Sequence, residues 1–355
     1  MPDATHSALD SAISVVPAEQ FHGADGRAVR PCTPAGVTHR HLRMLDVHPG
    51  ANVLDIGIGS GLSAALLAQL AGQGGHVTAV EIDPGLAERA EALYTEHGHQ
   101  VGVVVGDGLL GHPPGAPYDR ILVGTTPPAV PDAWLQQLKP YGVLLCGVRI
   151  SDLPGAYGIG RITVDEQHRP HQVEVHHGGY TPMVASALPG NVTRVADGEH
   201  PEHVLTLLGV QDPSTAHSFL TALTHARHTE PSPAQGSDYF HLKNWLIATE
   251  PDGLLEATLD QGTGIGIGTG IGIGTGTGIG IGSLSKGGTG HAALVNDDHL
   301  IADRTGSPAL EALTALVHNW RENGSPRTHQ LPAGVRREGD SWRVRITAGA
   351  STGAA

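Results

Sequence analysis

The sequence predicts an α/β fold: a mostly parallel, doubly wound sheet with an additional C-terminal α+β unit. Three observations carry that expectation. Short apolar runs alternate with amphipathic stretches from Ala51 to about His177, a glycine turn (VLDIGIGSGL) closes the first run, and the rhythm changes after about Ala187. Strands alternating with helices imply parallel strands joined by crossover helices. At 355 residues the chain exceeds the usual size of one domain. We therefore expect one domain over residues 1–187 and an accessory domain over 188–355.

Taken in order, ANVLDIG is an apolar run ending in glycine. LSAALLAQLAG follows, with Leu62, Ala65, Leu66 and Leu70 at helical spacing. HVTAVEID reads as a strand and PGLAERAEALYTEHG as a helix, with Pro84 early in it and Gly98 after it. VGVVVGD, YDRILVGT and GVLLCGV read as further buried strands, with VPDAWLQQL a helix between the last two. RITVDEQHRPHQVEV reads as two strands joined by a turn, finishing the sheet edge. Beyond Ala187, EHVLTLLGV, HSFLTALTHA and YFHLKNWLIA read as mostly helical. SPALEALTALVHNWRENG is a helix with Ser307 as N-cap, Pro308 first and Gly324 past its end; Leu310, Leu313, Val317 and Trp320 form its apolar face. SWRVRIT reads as a closing strand.

The run from Gly262 to Gly282 is almost wholly Gly, Ile and Thr. Glycine at every second position loses the most entropy on ordering, so a low-complexity loop is expected there. No Gly-Lys-Ser/Thr closes it, so it is not a phosphate loop.

The net charge is −14, and no block of Lys and Arg is present. Nucleic-acid surfaces need clustered cations, so no such partner is expected. Cys32 and Cys146 are the only cysteines, too few for a disulfide framework. Among 23 histidines, His39 and His41, His97 and His99, and His176 and His177 lie close in sequence, yet none has a trusted ligand spacing, and no metal is expected. The N-terminus lacks the basic and apolar regions of a secretory signal, and no apolar run approaches a membrane span. The expectation is a soluble cytoplasmic protein.

The chemistry is expected at LDIGIGSG. Gly57, Gly59 and Gly61 are spaced G-x-G-x-G, not the G-x-G-x-x-G of a dinucleotide turn. Glu81 ends the second strand, where a carboxylate can accept both hydroxyls of a ribose; Asp107 ends the third, where it can accept from an adenine amino group. Each residue also has a purely structural reading, a turn for a glycine and a helix cap for a carboxylate. Their order along one crevice, with nothing tailored to a pyrophosphate, suits S-adenosylmethionine (SAM) better than NAD.

From about Val16 to about Ala185 the chain resembles the protein-L-isoaspartate O-methyltransferases. VVPAEQF is similar to the family's Val-Pro-Arg-x-x-Phe segment, VLDIGIGSG to its first cofactor motif, and AVEIDPGLAERA and VVVGDGLLG to the second and third. APYDRILVGTTPPAVPDAWLQQLKPYGVLL is the most specific match, and HHGGYTPM resembles the segment closing the catalytic domain. The resemblance implies a class I SAM-dependent methyltransferase fold with SAM as cofactor. It assigns Asp55, Gly57, Gly59 and Gly61 to the methionine end, Glu81 to the ribose, Ile82 to the adenine face, and Asp107 and Gly108 to the adenine edge. Gly124–Thr126 would line the floor near the methyl group, placing Thr125 and Thr126 at the substrate.

One departure is chemical. The family's Thr-Ile-Ser-x-Pro, whose serine helps hold the substrate carboxylate, is replaced by VRPCTPAGV. Aligned on Pro34, Cys32 falls on the serine and Thr33 beside it. A thiol is a weak donor, so either Thr33 takes the role or the substrate is held differently. The added C-terminal unit is foreign to compact repair enzymes. Together these favour a SAM-dependent O-methyltransferase acting on an aspartate in a modified ribosomal peptide such as a cyclised precursor (lanthipeptide, lasso or graspetide), leading to aspartimide and isoaspartate. The alternative is repair of L-isoaspartyl residues in damaged proteins. In either case the partner is a peptide or protein containing Asp or isoAsp.

Overall fold

A computed structural model of the chain describes residues 4–30, 32–184, 188–259 and 277–349, with side chains from Ala8 onward. The chain divides into two compact units. The first takes residues up to Val148, Gly158–Val184 and Val335–Val344; the second takes Arg149–Tyr157, residues up to Gly334, and those from Arg345. The chain thus passes between units at more places than the single expected boundary near residue 187.

The first unit opens with α1 (Ala4–Val15) and α2 (Ala35–Leu45). It continues with β1 (Asn52–Ile56), α3 (Leu62–Ala71), β2 (His76–Glu81), α4 (Pro84–His97), β3 (Gly102–Val105) and β4 (Tyr118–Val123). Then come β5 (Val130–Pro131), α5 (Asp132–Gln136), β6 (Leu138–Arg149), β7 (Tyr157–Val164) and β8 (Pro170–His177). The sheet order is β3-β2-β1-β4-β6-β7-β8. Its first five strands pair in parallel, and β7 with β8 antiparallel. This is the Rossmann-like, class I methyltransferase arrangement that was expected, with the last two strands at one edge.

The chain builds outward from β1 to β3 and then returns to the other side of β1 with β4. That reversal leaves a crevice at the carboxyl ends of β1 and β4, the usual ligand position in such sheets. Pro84 at the start of α4, and Asp83 accepting the Gly85 and Leu86 amides at 2.8 and 3.0 Å, fix the chain's exit from β2. The core packs Leu9, Val16 and Phe21 with Leu42, Leu45, Leu66 and Leu67 against Val53 and Leu122. One strand departs from expectation. β3 is not buried but forms the sheet edge, with Gly102 and Val105 exposed.

The second unit contains β9 (Val192–Ala196), β10 (Val204–Leu208), α6 (Pro213–Thr224), β11 (His228–Pro231), α7 (Ser237–Thr249) and β12 (Leu254–Thr258). β13 (Thr277–Leu284), β14 (Gly290–Val295), β15 (His299–Ala302) and α8 (Pro308–Glu322) follow. Its seven strands run β11-β15-β14-β13-β12-β10-β9, with α6 and α8 packed on the sheet. Inside the unit, Lys243 on α7 meets Glu256 on β12 at 3.0 Å, both nearly inaccessible, and the Gly155 amide donates to the same carboxylate at 2.7 Å. The chain then re-enters the first unit with β16 (Ala333–Glu338) and β17 (Ser341–Ile346), and within that unit Ser341 and Trp342 of β17 pair antiparallel with β5.

Two expectations for this unit are corrected. EHVLTLLGV is not a helix but contains β10, whose Leu205, Thr206 and Leu207 are all buried. With both faces covered, the period-2 alternation of a strand is lost. The Gly/Ile/Thr run is not a loop throughout: residues 277–282 are the start of β13, between β12 and β14. Residues 262–276 lie outside the described residues. Ile279 and Ile281 are fully buried, while a side chain at Gly280 would collide with the Ala293 carbonyl, and at Gly282 with the Phe219 ring of α6. Close packing, not flexibility, is why glycine alternates there. Among the described residues no helix is long and apolar enough to cross a membrane.

Candidate active site

The site begins at the turn after β1. Gly57, Gly59 and Gly61 all take positive φ (74°, 52° and 95°), which only glycine adopts without strain. The close approaches at Gly57 and Gly61 differ. A Cβ on Gly57 would stand 3.0 Å from the Thr125 methyl; one on Gly61 would stand 3.0 Å from the Tyr94 hydroxyl. Gly57 therefore lets the β1 and β4 ends come together, whereas Gly61 lets α4 close on the turn. Tyr94 donates to the Gly61 carbonyl at 2.9 Å. Arg89 donates to the Ser60 carbonyl at 3.2 Å and to those of Phe21 and His22 at 3.0 and 2.7 Å, tying the VVPAEQF segment to the turn.

Asp55, on β1, is 1% exposed. Its Oδ2 accepts from Ser63 at 2.6 Å, while Oδ1 has no hydrogen-bond partner among the described residues. Burial pushes its carboxyl up to about 7, against the Ser63 hydrogen bond, with Glu81 adding to the rise. Glu81 turns back toward the glycine turn: its carboxylate accepts from the Gly59 amide at 3.1 Å and from Ile82 and Asp83 at 2.9 and 3.1 Å. Beside it Ile82 is 71% exposed, large for an apolar residue at a strand end.

At the end of β3, Asp107 accepts from the Leu109 amide at 3.0 Å, which caps a short turn of helix over Gly108–Leu110. Gly108 is buried, its carbonyl taken by the Trp134 indole at 2.8 Å. At the end of β4 the two threonines separate in role. Thr125 Oγ1 is buried and lacks a partner among the described residues. Thr126 Oγ1 donates to the Tyr180 carbonyl at 2.8 Å and accepts the Tyr180 amide at 3.2 Å, so its hydroxyl is occupied by the fold. Cys32 and Thr33 are half-buried just before α2, and burial pushes the Cys32 thiol up, so it stays protonated.

The glycine turn, Asp55, Glu81, Ile82, Asp107, Gly108 and Thr125 thus sit at four neighbouring strand ends. Residues 33–167 match the family model described as protein-L-isoaspartate(D-aspartate) O-methyltransferase. Over those residues the chain is similar to that family. The matched region takes in the glycine turn, Asp55, Glu81, Asp107 and Thr33, but begins after Cys32 and ends before Tyr180. The protein-L-isoaspartate O-methyltransferase of Aeropyrum pernix is 46% identical over 120 residues, covering 33% of this chain and 46% of the relative. That of Methanopyrus kandleri is 47% identical over 107 residues, covering 30% and 47%. The chain spans about half the length of the curated relatives it matches. A solved protein-L-isoaspartate O-methyltransferase superposes over 96% of both chains at 15% identity, with a TM-score of 0.44.

Several site residues lay beyond sequence reasoning. Ser63, Arg89 and Tyr94 look like ordinary helix positions, and only their distance from the turn reveals them. Four of the histidines singled out in the sequence meet neighbouring side chains. His99 stacks on Phe21 with centroids 6.1 Å apart, His97 lies 6.2 Å from His99, and Arg40 binds the rings of His41 and His177 at 3.2 and 2.9 Å.

Proposed function

We propose that the chain is a SAM-dependent carboxyl O-methyltransferase of the repair type, acting on L-isoaspartyl residues in proteins or peptides. The observation that carries this reading is the family region itself, with its glycine turn, Glu81 and Asp107 at adjacent strand ends. The relatives are named for isoaspartate, which favours repair over the narrower expectation of an aspartate in a modified ribosomal peptide.

The residues present fit SAM. The unpartnered Asp55 oxygen beneath the turn suits the ammonium of the methionine end. Glu81 keeps acceptor capacity for ribose hydroxyls, since its three amide donors leave part of the carboxylate's four sites open. Ile82 and Leu110, 71% and 64% exposed, offer apolar surface for an adenine ring, and Asp107 has a second oxygen for its amino group. When bound, SAM supplies an electrophilic methyl group.

What remains for the chain is modest. The acceptor carboxylate has a pKa of about 4 and is already ionised, so no general base is needed. The site must hold one acceptor oxygen about 3 Å from the methyl carbon and exclude water, which is catalysis by proximity and orientation. In this reading the Thr33 and Thr125 hydroxyls orient that carboxylate. Thr126 serves the fold, and the Cys32 thiol is too weak a donor to replace a hydroxyl. The methyl ester formed is activated; the following backbone nitrogen closes on it, expels methanol and leaves a succinimide, whose hydrolysis gives aspartate or isoaspartate.

Incubation with methyl-labelled SAM and an L-isoaspartyl peptide tests the reading. The label is expected in the peptide as a base-labile ester that releases methanol. Label that survives mild base would identify another acceptor and overturn it.

A further inference from the structure

Beyond β8 the residues Tyr180–Met183 form a strap alongside Gly124–Thr126. The Thr126 amide donates to the Thr181 carbonyl at 2.9 Å and the Met183 amide to the Thr126 carbonyl at 2.8 Å. Thr126 Oγ1 holds both backbone groups of Tyr180. At its far end the Met183 methyl would meet a Cβ on Gly108 at 2.8 Å. The strap therefore runs from the threonines at the end of β4 to the Gly108 turn after β3, along the crevice assigned above.

Its near end is held by one side chain from elsewhere in the sequence. Tyr180, 3% exposed, receives a short hydrogen bond at its hydroxyl from Nδ1 of His41, 1% exposed, and the two rings meet edge-on with centroids 5.1 Å apart. The Arg40 guanidinium donates to His41 Nε2 at 3.2 Å. An arginine cannot accept, so that nitrogen carries the lone pair and the proton sits on Nδ1, pointing at Tyr180. Burial, with Arg40 adding to it, lowers the His41 pKa to about 3, which keeps the ring neutral. His41 lies on α2, the helix that starts immediately after Cys32 and Thr33.

We propose that His41 is a positioning residue that pins the Tyr180–Met183 strap through the Tyr180 hydroxyl, and so fixes the cofactor crevice relative to the acceptor-holding start of α2. This rests on the SAM-binding reading of that crevice. The hydrogen bond does not touch cofactor or acceptor; it acts through Tyr180 and Thr126.

The test is a double-mutant cycle read by S-adenosylhomocysteine (SAH) binding in calorimetry, with turnover on an isoaspartyl peptide as a second readout. His41→Leu and Tyr180→Phe are each expected to weaken SAH five- to tenfold and to lower kcat by a similar factor. The double variant should be no worse than either single one, because both remove the same bond. His41→Asn, which keeps a donor near the Nδ1 position, should return SAH affinity to within twofold of the wild type, a rescue that a mere packing role would not give. Additive losses, or SAH affinity within twofold of wild type for His41→Leu, would overturn the proposal. Should His41→Leu fail to fold, Tyr180→Phe decides alone, since it removes only a hydroxyl. A wild-type chain that does not bind SAH would overturn the cofactor reading itself, and this proposal with it.

Discussion

The Glu81 carboxylate accepts the Gly59 amide at 3.1 Å, joining the end of β2 to the turn that follows β1. One side chain therefore both shapes the glycine turn and faces the crevice. Glu81→Gln keeps the size and one acceptor oxygen but removes the charge. A charged hydrogen bond contributes about 1.5–3 kcal/mol, so SAH affinity should fall by roughly ten- to a hundredfold. Calorimetry checks this, and an unchanged affinity would remove Glu81 from the cofactor site.

Asp55 gives a pH dependence of definite sign. Its folded pKa of about 7 lies above the value of about 3.9 expected in an unfolded chain. The stability it contributes is fully present below about pH 4 and is lost as pH rises through about 7, a total of about 4 kcal/mol. Asp55→Asn should therefore flatten the decline in apparent Tm of the ligand-free protein between pH 5 and about 7.5. A ligand ammonium favours the ionised form, so SAH should bind more tightly as pH rises over the same range, with proton release on binding. Heats of binding that do not vary with buffer ionisation enthalpy would contradict it.

Gly61 pairs a φ of 95° with a Cβ position 3.0 Å from the Tyr94 hydroxyl. Gly61→Ala should destabilise the first unit by about 1–3 kcal/mol and weaken SAH binding together. Tyr94→Phe in the same background should relieve the contact but not the backbone strain. Denaturant titration of Gly61→Ala, Tyr94→Phe and the double variant measures both terms.

In the second unit, Gly282 packs directly on the Phe219 ring. Gly282→Val inserts three carbons into that contact and should cost about 1–3 kcal/mol or more, with little change in SAH affinity. A neutral effect would mean that β13 does not pack as described.

What could be read from the sequence follows from where each signal resides. The strand-end positions of Gly57, Glu81 and Asp107 were legible because they recur in a fixed order, and the parallel sheet followed from the same alternation. β13 was not legible, because its glycines answer to Phe219 and Ala293, residues on other elements that leave no trace in the run itself. β10 was hidden for a related reason: Leu205, Thr206 and Leu207 are all buried, so the alternation that marks a half-buried strand is missing. SWRVRIT was recognisable as a strand, but its partner β5, some 200 residues earlier, was not. His41 and Tyr180 are separated by 139 positions, and no local pattern links them. At the site, the split between Thr125 and Thr126 depends on which hydroxyl the strap occupies, which only the fold decides.

The acceptor side can be separated in the same way. Thr33→Val should raise KM for the peptide about tenfold with SAH affinity unchanged, the cost of one hydrogen bond to a charged group. Cys32→Ala should leave both parameters within about twofold. Steady-state kinetics on one isoaspartyl peptide compares the two, and the reverse pattern would give the role to Cys32.

The proposed activity is methyl transfer to an isoaspartyl carboxylate. Mass spectrometry after incubation with SAM, on one peptide sequence carrying either L-isoaspartate or L-aspartate and on a cyclised aspartyl peptide, tests it most directly. Methyl ester and subsequent methanol loss are expected on the isoaspartyl peptide, with the flexible aspartyl isomer untouched. Methylation confined to the cyclised aspartyl peptide would contradict it and point to maturation of a constrained peptide instead.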